Sequence, residues 1–268
     1  MLRYIVPLWL CLTPWASAAQ PTPPLPAEGA AGTFCQPGKK DGAHLVVFAG
    51  WTVKPEWAWQ WLQALQSATG AGKATGVVCA VRGPADASFV AKDIDARAFA
   101  VSLQEQMGSG SAPVTFIAHS SGAFVAHYLM QQLRKQGAAG LLARIRYINL
   151  DGAIGRGDRE LDADLVRQLA SVEAVLARSA QDGMESINAG AMRELALRYP
   201  SAVRLRVLET ADSGCEPRAR WCLHQVLVNR RPHDPKNFDL ARDYGQISAA
   251  HPVQWDYLKE PVRPPAGP

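Results

Sequence analysis

Between residues 43 and 260, short apolar runs of strand length alternate with amphipathic stretches of helix length. This is the pattern of an α/β domain: a mostly parallel sheet with helices on both faces, because parallel strands need crossover connections and bury both surfaces. The first strand is read at His44–Phe48, followed by a helix from Pro55 that puts Trp57, Trp61, Leu62 and Leu65 on one face. A strand at Gly76–Val81 and a helix at Ser88–Met107, with Val90, Ile94, Ala98 and Val101 turned inward, come next. They are followed by a strand at Val114–Ala118, a helix at Ser121–Lys135 and a strand at Arg146–Leu150. Segments rich in Leu and Ala over residues 160–199 read as helices, more chain than one crossover needs, so part of them is assigned to a lid or cap. The last strand, Val203–Leu208, alternates Val with Arg, which suits a position near a sheet edge. No internal repeat is apparent.

The ends of the chain read differently. Residues 1–19 carry Arg3, an apolar stretch from Tyr4 to Trp15, and the small residues Ala16, Ser17, Ala18 and Ala19. That is the pattern of an export signal cleaved after Ala18 or Ala19, which leaves no stable membrane anchor. Residues 20–42 are rich in Pro, Gly and Ala and read as an extended linker tied down at Cys35, and residues 261–268 as a flexible tail. A net charge of +4 without a basic run argues against a nucleic-acid partner. Beyond the signal stand Cys35, Cys79, Cys215 and Cys222, and in an oxidising compartment two disulfides are expected. The short loop between Cys215 and Cys222 favours that pair, leaving Cys35 with Cys79. A zinc site built from Cys215, Cys222 and His224 competes with this but has no obvious fourth ligand.

The segment from Val114 to Phe124 carries the chemistry. A buried strand leads into Ala118-His119-Ser120-Ser121-Gly122 and then a helix start, the nucleophile elbow G-x-S-x-G with Ala118 in place of the first glycine. The serine of such an elbow sits on a strained turn, so small residues must flank it at two positions on either side. The turn lifts the hydroxyl above the strand ends, at a helix N-terminus that favours developing negative charge. The bland alternative is that Ser120 merely caps the helix. Strand, turn and helix in this order favour the α/β-hydrolase fold with Ser120 as nucleophile. The backbone N–H groups of Trp51, in Ala49-Gly50-Trp51-Thr52, and of Ser121 are the expected oxyanion donors, with Trp51 as a plain core aromatic the alternative.

Four segments resemble the pancreatic and lipoprotein lipase family, in the same order: Ala49-Gly50-Trp51-Thr52-Val53, Ala118-His119-Ser120-Ser121-Gly122-Ala123, Arg146-Tyr147-Ile148-Asn149-Leu150-Asp151-Gly152-Ala153, and Cys215 through Cys222-Leu223-His224. The resemblance implies a triad of Ser120, Asp151 and His224, with a Cys215–Cys222 disulfide bracing the histidine loop. Ala49 stands where that family has histidine, and Gly152 where it has proline. A second constellation, Thr210-Ala211-Asp212-Ser213-Gly214-Cys215 followed by Pro232-His233, resembles the cutinases and implies Asp212 with His233 instead. His251, ahead of a helix read at Pro252–Lys259, is a third candidate base, whereas His44, His119 and His127 read as structural.

The expected chemistry is acyl transfer through an acyl-enzyme, with no metal or organic cofactor. The resembling families cleave esters, so a small-molecule or lipid carboxylic ester is the expected substrate. A thioesterase or amidase would use the same machinery. An exported binding protein without working catalysis is the alternative from another class. Oligomeric state is not legible in the sequence.

Overall fold

A computed structural model describes residues 24–29, 32–51, 53–68, 74–84, 96–107, 110–210 and 220–228. The expected leader at 1–19, the helix at Pro252–Lys259 and the tail at 261–268 lie outside these residues. Among those described, seven strands form one sheet in the order β1-β3-β2-β4-β5-β6-β7. They are β1 (Thr33–Gln36), β2 (His44–Phe48), β3 (Val78–Val81), β4 (Val114–His119), β5 (Ile145–Leu150), β6 (Ser171–Ser179) and β7 (Val203–Thr210). Strand β1 runs antiparallel to β3 and every other pairing is parallel.

Helices α1 (Pro55–Ala68), α2 (Ala96–Met107), α3 (Gly122–Lys135), α4 (Ala139–Leu142), α5 (Ala163–Gln168), α6 (Ala189–Arg198) and α7 (Arg220–Val226) lie around this sheet. Because strand side chains alternate, neighbouring residues feed two separate cores. Val46, Phe48, Phe116 and Tyr147 pack with Phe99 and Leu103 of α2 and Leu129 and Leu133 of α3. On the other face Val47, Ile117, Ile148 and Val175 pack with Trp59, Trp61, Leu62 and Leu65 of α1 and with Leu223 of α7. Fully burying one such side chain contributes about 1.5–3 kcal/mol, which is why apolar residues dominate the central strands.

The chain leaves β2 in one direction to form β3 and returns on the other side to form β4, so the strand order reverses between β2 and β4. At such a reversal the connections after the two strands part and leave a crevice outside their carboxyl ends. The turns after β2 and β4 carry Trp51 and Ser120.

Three sequence expectations need correction. Residues 160–199 are not all helical: between α5 and α6 lies β6, in the middle of what was read as helix and lid. Its sequence, Ser171-Val-Glu-Ala-Val-Leu-Ala-Arg-Ser, mixes good helix formers with only two valines, but six consecutive positions are buried between β5 and β7. Burial in the sheet thus overrides local propensity. The phase of α2 is also displaced: Phe99, Ala100, Leu103 and Met107 face the core while Val101 is exposed. Lastly, the segment read as a linker contains β1, whose Cys35 stands directly opposite Cys79 of β3 and forms the expected disulfide with it, Cα to Cα 4.1 Å. A four-residue strand among Gly and Pro has too little periodicity to be seen, and its partner strand supplies its order.

Candidate active site

Ser120 follows the last residue of β4 and has a left-handed backbone, φ 55°. A residue with a Cβ is held there at a cost of about 1–3 kcal/mol, supplied by its surroundings. Its N–H donates to the Leu150 carbonyl at 3.2 Å. Next to it Ser121, not Ser120, is the N-cap of α3, and Ser121 makes no capping bond through its side chain. The reading of Ser120 as a simple cap therefore fails. Gly122 is required because a Cβ would collide with the carbonyl oxygens of Phe48 and Ala49. Ala118 is fully buried.

Asp151 occupies the matching position one strand over. His119 is in register with Leu150, so Ser120 and Asp151 leave the ends of adjacent parallel strands side by side. Asp151 also has a left-handed backbone, φ 43°, a conformation that Asp tolerates better than most residues. Asn149 shapes this turn: its Oδ1 accepts from the Gly152 N–H at 3.1 Å and its Nδ2 donates to the Ala153 carbonyl at 3.2 Å. A Cβ at Gly152 would strike Asn149 Oδ1 and press on Ala123 and on the Ser120 carbonyl. The turn therefore leaves no room for a side chain at residue 152.

The Asp151 carboxylate is completely buried and meets three donors. His224 Nδ1 lies 2.6 Å from Oδ2, the Ser186 hydroxyl donates to Oδ1 at 2.7 Å, and the Asn188 N–H donates to Oδ2 at 3.2 Å. Asn188 Nδ2 in addition donates to the Asp151 carbonyl at 2.7 Å. A carboxylate out of water needs such partners, since an unpaired one costs several kcal/mol. With its Nδ1 proton given to Asp151, a neutral His224 has Nε2 as its basic nitrogen.

Segment 185–188 joins the two halves of this pair. It supplies Ser186 and Asn188 to the acid, and its Glu185, Ser186 and Ile187 carbonyls accept from Arg220 at the start of α7, at 3.2, 3.3 and 3.3 Å. His224 sits on α7 and is buried. His119 packs beside it: ring centroids are 4.3 Å apart at 32°, and His119 Nε2 lies 3.1 Å from the His224 carbonyl oxygen. Burial holds the His119 imidazole well below the usual histidine range, helped by the neighbouring His224 ring, while the bond to the carbonyl works the other way.

Trp51 is 41% exposed in the turn after β2, so it is no core aromatic. Ser121 is buried, and its hydroxyl has no hydrogen-bond partner among the described residues. Asp212, His233 and His251, the acid and bases of the rival constellations, lie outside the described residues, as do Cys215 and the Cys222 side chain. No group of three or more potential metal ligands occurs among the described residues. The sequence reading did not single out Ser186 or Asn188, which lie 35 and 37 residues beyond Asp151. Only the fold brings them to the acid, and no local signal marks them.

The sheet order, the elbow after β4 and the helix that follows define an α/β-hydrolase fold. No family profile matches the chain, and no curated protein matches it. Among solved structures it is similar to carboxyl esterase 2 of the mycorrhizal fungus Tuber melanosporum, with TM-score 0.43 and 10% identity over 66% of this chain and 70% of that one. It is also similar to an alpha-beta serine hydrolase homologue from Coxiella burnetii, with TM-score 0.41 and 13% identity over 69% and 86% of the two chains. A third similar structure is an α/β serine hydrolase without lid from Xanthomonas campestris, with TM-score 0.39 and 14% identity over 66% and 77%.

Proposed function

We propose that this chain is an exported serine hydrolase that cleaves carboxylic esters with Ser120 as nucleophile, His224 as general base and Asp151 as the acid that orients it. One observation carries the reading: a buried Asp151–His224 pair at 2.6 Å stands at the same strand ends as a serine held in a strained left-handed turn. A carboxylate and an imidazole brought together out of water do not stabilise a fold better than apolar packing would. Catalysis is the use that repays their burial.

In the proposed reaction His224 Nε2 takes the Ser120 proton as the serine oxygen bonds to the ester carbonyl carbon. The carbonyl oxygen becomes an oxyanion facing the Trp51 and Ser121 N–H groups. Among the described residues neither N–H donates to a backbone carbonyl, which leaves both suited to this role. Collapse of the tetrahedral intermediate breaks the ester C–O bond, and the leaving alcohol takes the proton from His224. Water then repeats the sequence on the acyl-enzyme, losing a proton to His224 and releasing the acid, with the proton returned to Ser120. Asp151 accepts the His224 Nδ1–H bond throughout, fixing the imidazole tautomer and stabilising its transient cation. Export is supported by the leader-like residues 1–19 and by the Cys35–Cys79 disulfide, a bond that persists in oxidising compartments.

The test is a fluorophosphonate probe read by intact-protein mass, followed by p-nitrophenyl ester turnover. One covalent adduct that disappears in Ser120→Ala is the expected result. Folded protein that neither takes up the probe nor turns over any ester would leave a binding protein as the better reading.

A further inference from the structure

The residue before the proposed nucleophile is usually free to vary as far as the elbow turn is concerned, because the turn asks for small residues at other positions. Here it is a histidine, wholly buried, and its ring lies against that of His224. A carbonyl oxygen only accepts hydrogen bonds, so the 3.1 Å contact between His119 Nε2 and the His224 carbonyl requires the proton of His119 to be on Nε2. The edge of Trp61 closes on the same ring, with centroids 6.4 Å apart at 73°. Helix α7 is only seven residues long and needs anchors beyond its own hydrogen bonds. Arg220 supplies one at its first residue. The bond from His119 falls at the residue that carries the imidazole.

We propose that His119 is a positioning residue for the general base: it fixes the backbone of His224 by donating Nε2–H to its carbonyl, and fixes the imidazole plane by stacking on it. Nucleophile and base are thereby tied through two consecutive residues at the end of β4, Ser120 offering the hydroxyl and His119 holding the group that receives its proton. The role also suits a ring that stays neutral beside His224, since a cationic neighbour would oppose the charge His224 acquires in the reaction.

This inference rests on the hydrolase reading for its kinetic effect but not for its geometry, and the experiment separates the two. His119→Phe keeps a stacking ring and removes the donor, whereas His119→Gln places an amide N–H near the position of Nε2. Both are compared for p-nitrophenyl ester turnover and for the NMR signal of the His224 Nδ1 proton, identified by its absence in His224→Ala. His119→Phe is expected to lower kcat about tenfold with KM little changed and to broaden or lose the Nδ1 proton signal. His119→Gln is expected to recover most of both. If Phe does not fold, His119→Asn replaces it, being smaller than the native ring and too short to reach the carbonyl. Wild-type kcat and an intact proton signal in the Phe or Asn variant would overturn the proposal. So would an equal kcat loss in the Gln variant with the signal intact in both, which is the mark of a packing role. Wild-type protein that neither takes up the fluorophosphonate probe nor turns over any ester defeats the hydrolase reading alone, and the proton signal then decides whether His119 positions His224.

Discussion

Among the described residues two carboxylates are buried, and their partners differ in kind. Glu173, on β6, is 1% exposed and is held by Arg146 at 2.6 Å and Arg206 at 3.2 Å, from the strands on either side. Asp151, at the end of β5, is held by an imidazole and by the neutral donors of Ser186 and Asn188. A guanidinium is charged at every working pH, so the Glu173 cluster is a fixed set of charges that ties three strands together. An imidazole has one nitrogen to bond Asp151 and a second that can take up or release a proton, so the Asp151 cluster is built round a group able to pass a proton on. Burial alone does not mark a functional acid. The kind of partner it holds is what separates the two clusters.

Substitutions should separate the two clusters, and the largest effect is expected at the one that holds the imidazole. His224→Ala removes the base and should lower ester kcat by about 10⁴-fold or more, while circular dichroism still reports a folded chain. A loss under about tenfold would put the two carboxylates on the same footing. Glu173→Gln should do the reverse. Breaking a buried ion pair costs about 3–5 kcal/mol, here at the lower end because Arg146 and Arg206 are partly solvated. Urea unfolding should report that loss, with kcat of the folded fraction unchanged.

A third buried cluster sharpens the comparison, because burial there opposes a charge on the imidazole. His127 donates through Nδ1 to the Arg159 carbonyl at 3.1 Å and accepts at Nε2 from the Tyr147 hydroxyl at 2.9 Å, so both nitrogens are used. Burial lowers its pKa from 6.5 to about 4. The native ring thus resists protonation that the unfolded chain accepts. The stabilising contribution is complete above pH 6.5 and is lost as the pH falls through about 4, to a total of about 3 kcal/mol. His44 and His119, also lowered by burial, act in the same direction. Unfolding free energy measured between pH 8 and 4 should fall accordingly, and His127→Phe should flatten part of the slope. An unaltered slope would contradict the assignment. The smallest effect is expected for Ser186→Ala, which deprives Asp151 of one donor and the Ala177 N–H of one acceptor. A loss of about 1–2 kcal/mol in stability and about tenfold in kcat is predicted from thermal melts and ester turnover.

The sequence was most legible where local pattern and tertiary role agree. Strand β4 is a six-residue strand with five residues buried, leading into a turn with Ala118 two before and Gly122 two after Ser120, and both features survive in the fold. The Asp151 to His224 assignment came from motif resemblance, since no periodicity links residues 73 positions apart, and the fold brings their side chains to 2.6 Å. Strand β6 was hidden because Ala, Leu and Glu favour helices in isolation and only the neighbouring strands make them extended. Ser186 and Asn188 were hidden for a related reason: their work is defined by a partner far along the chain. His119 was visible but read as structural, because nothing local says which ring it will face.

The central claim is that the acid at the end of β5, on the strand next to the serine, serves the histidine of α7. Its most direct test is ester turnover by Asp151→Asn and Asp212→Asn measured in parallel on folded protein. The account predicts a loss on the order of 10³–10⁴-fold in kcat for Asp151→Asn and near wild-type turnover for Asp212→Asn. Near-normal turnover in Asp151→Asn with a collapse in Asp212→Asn would contradict it.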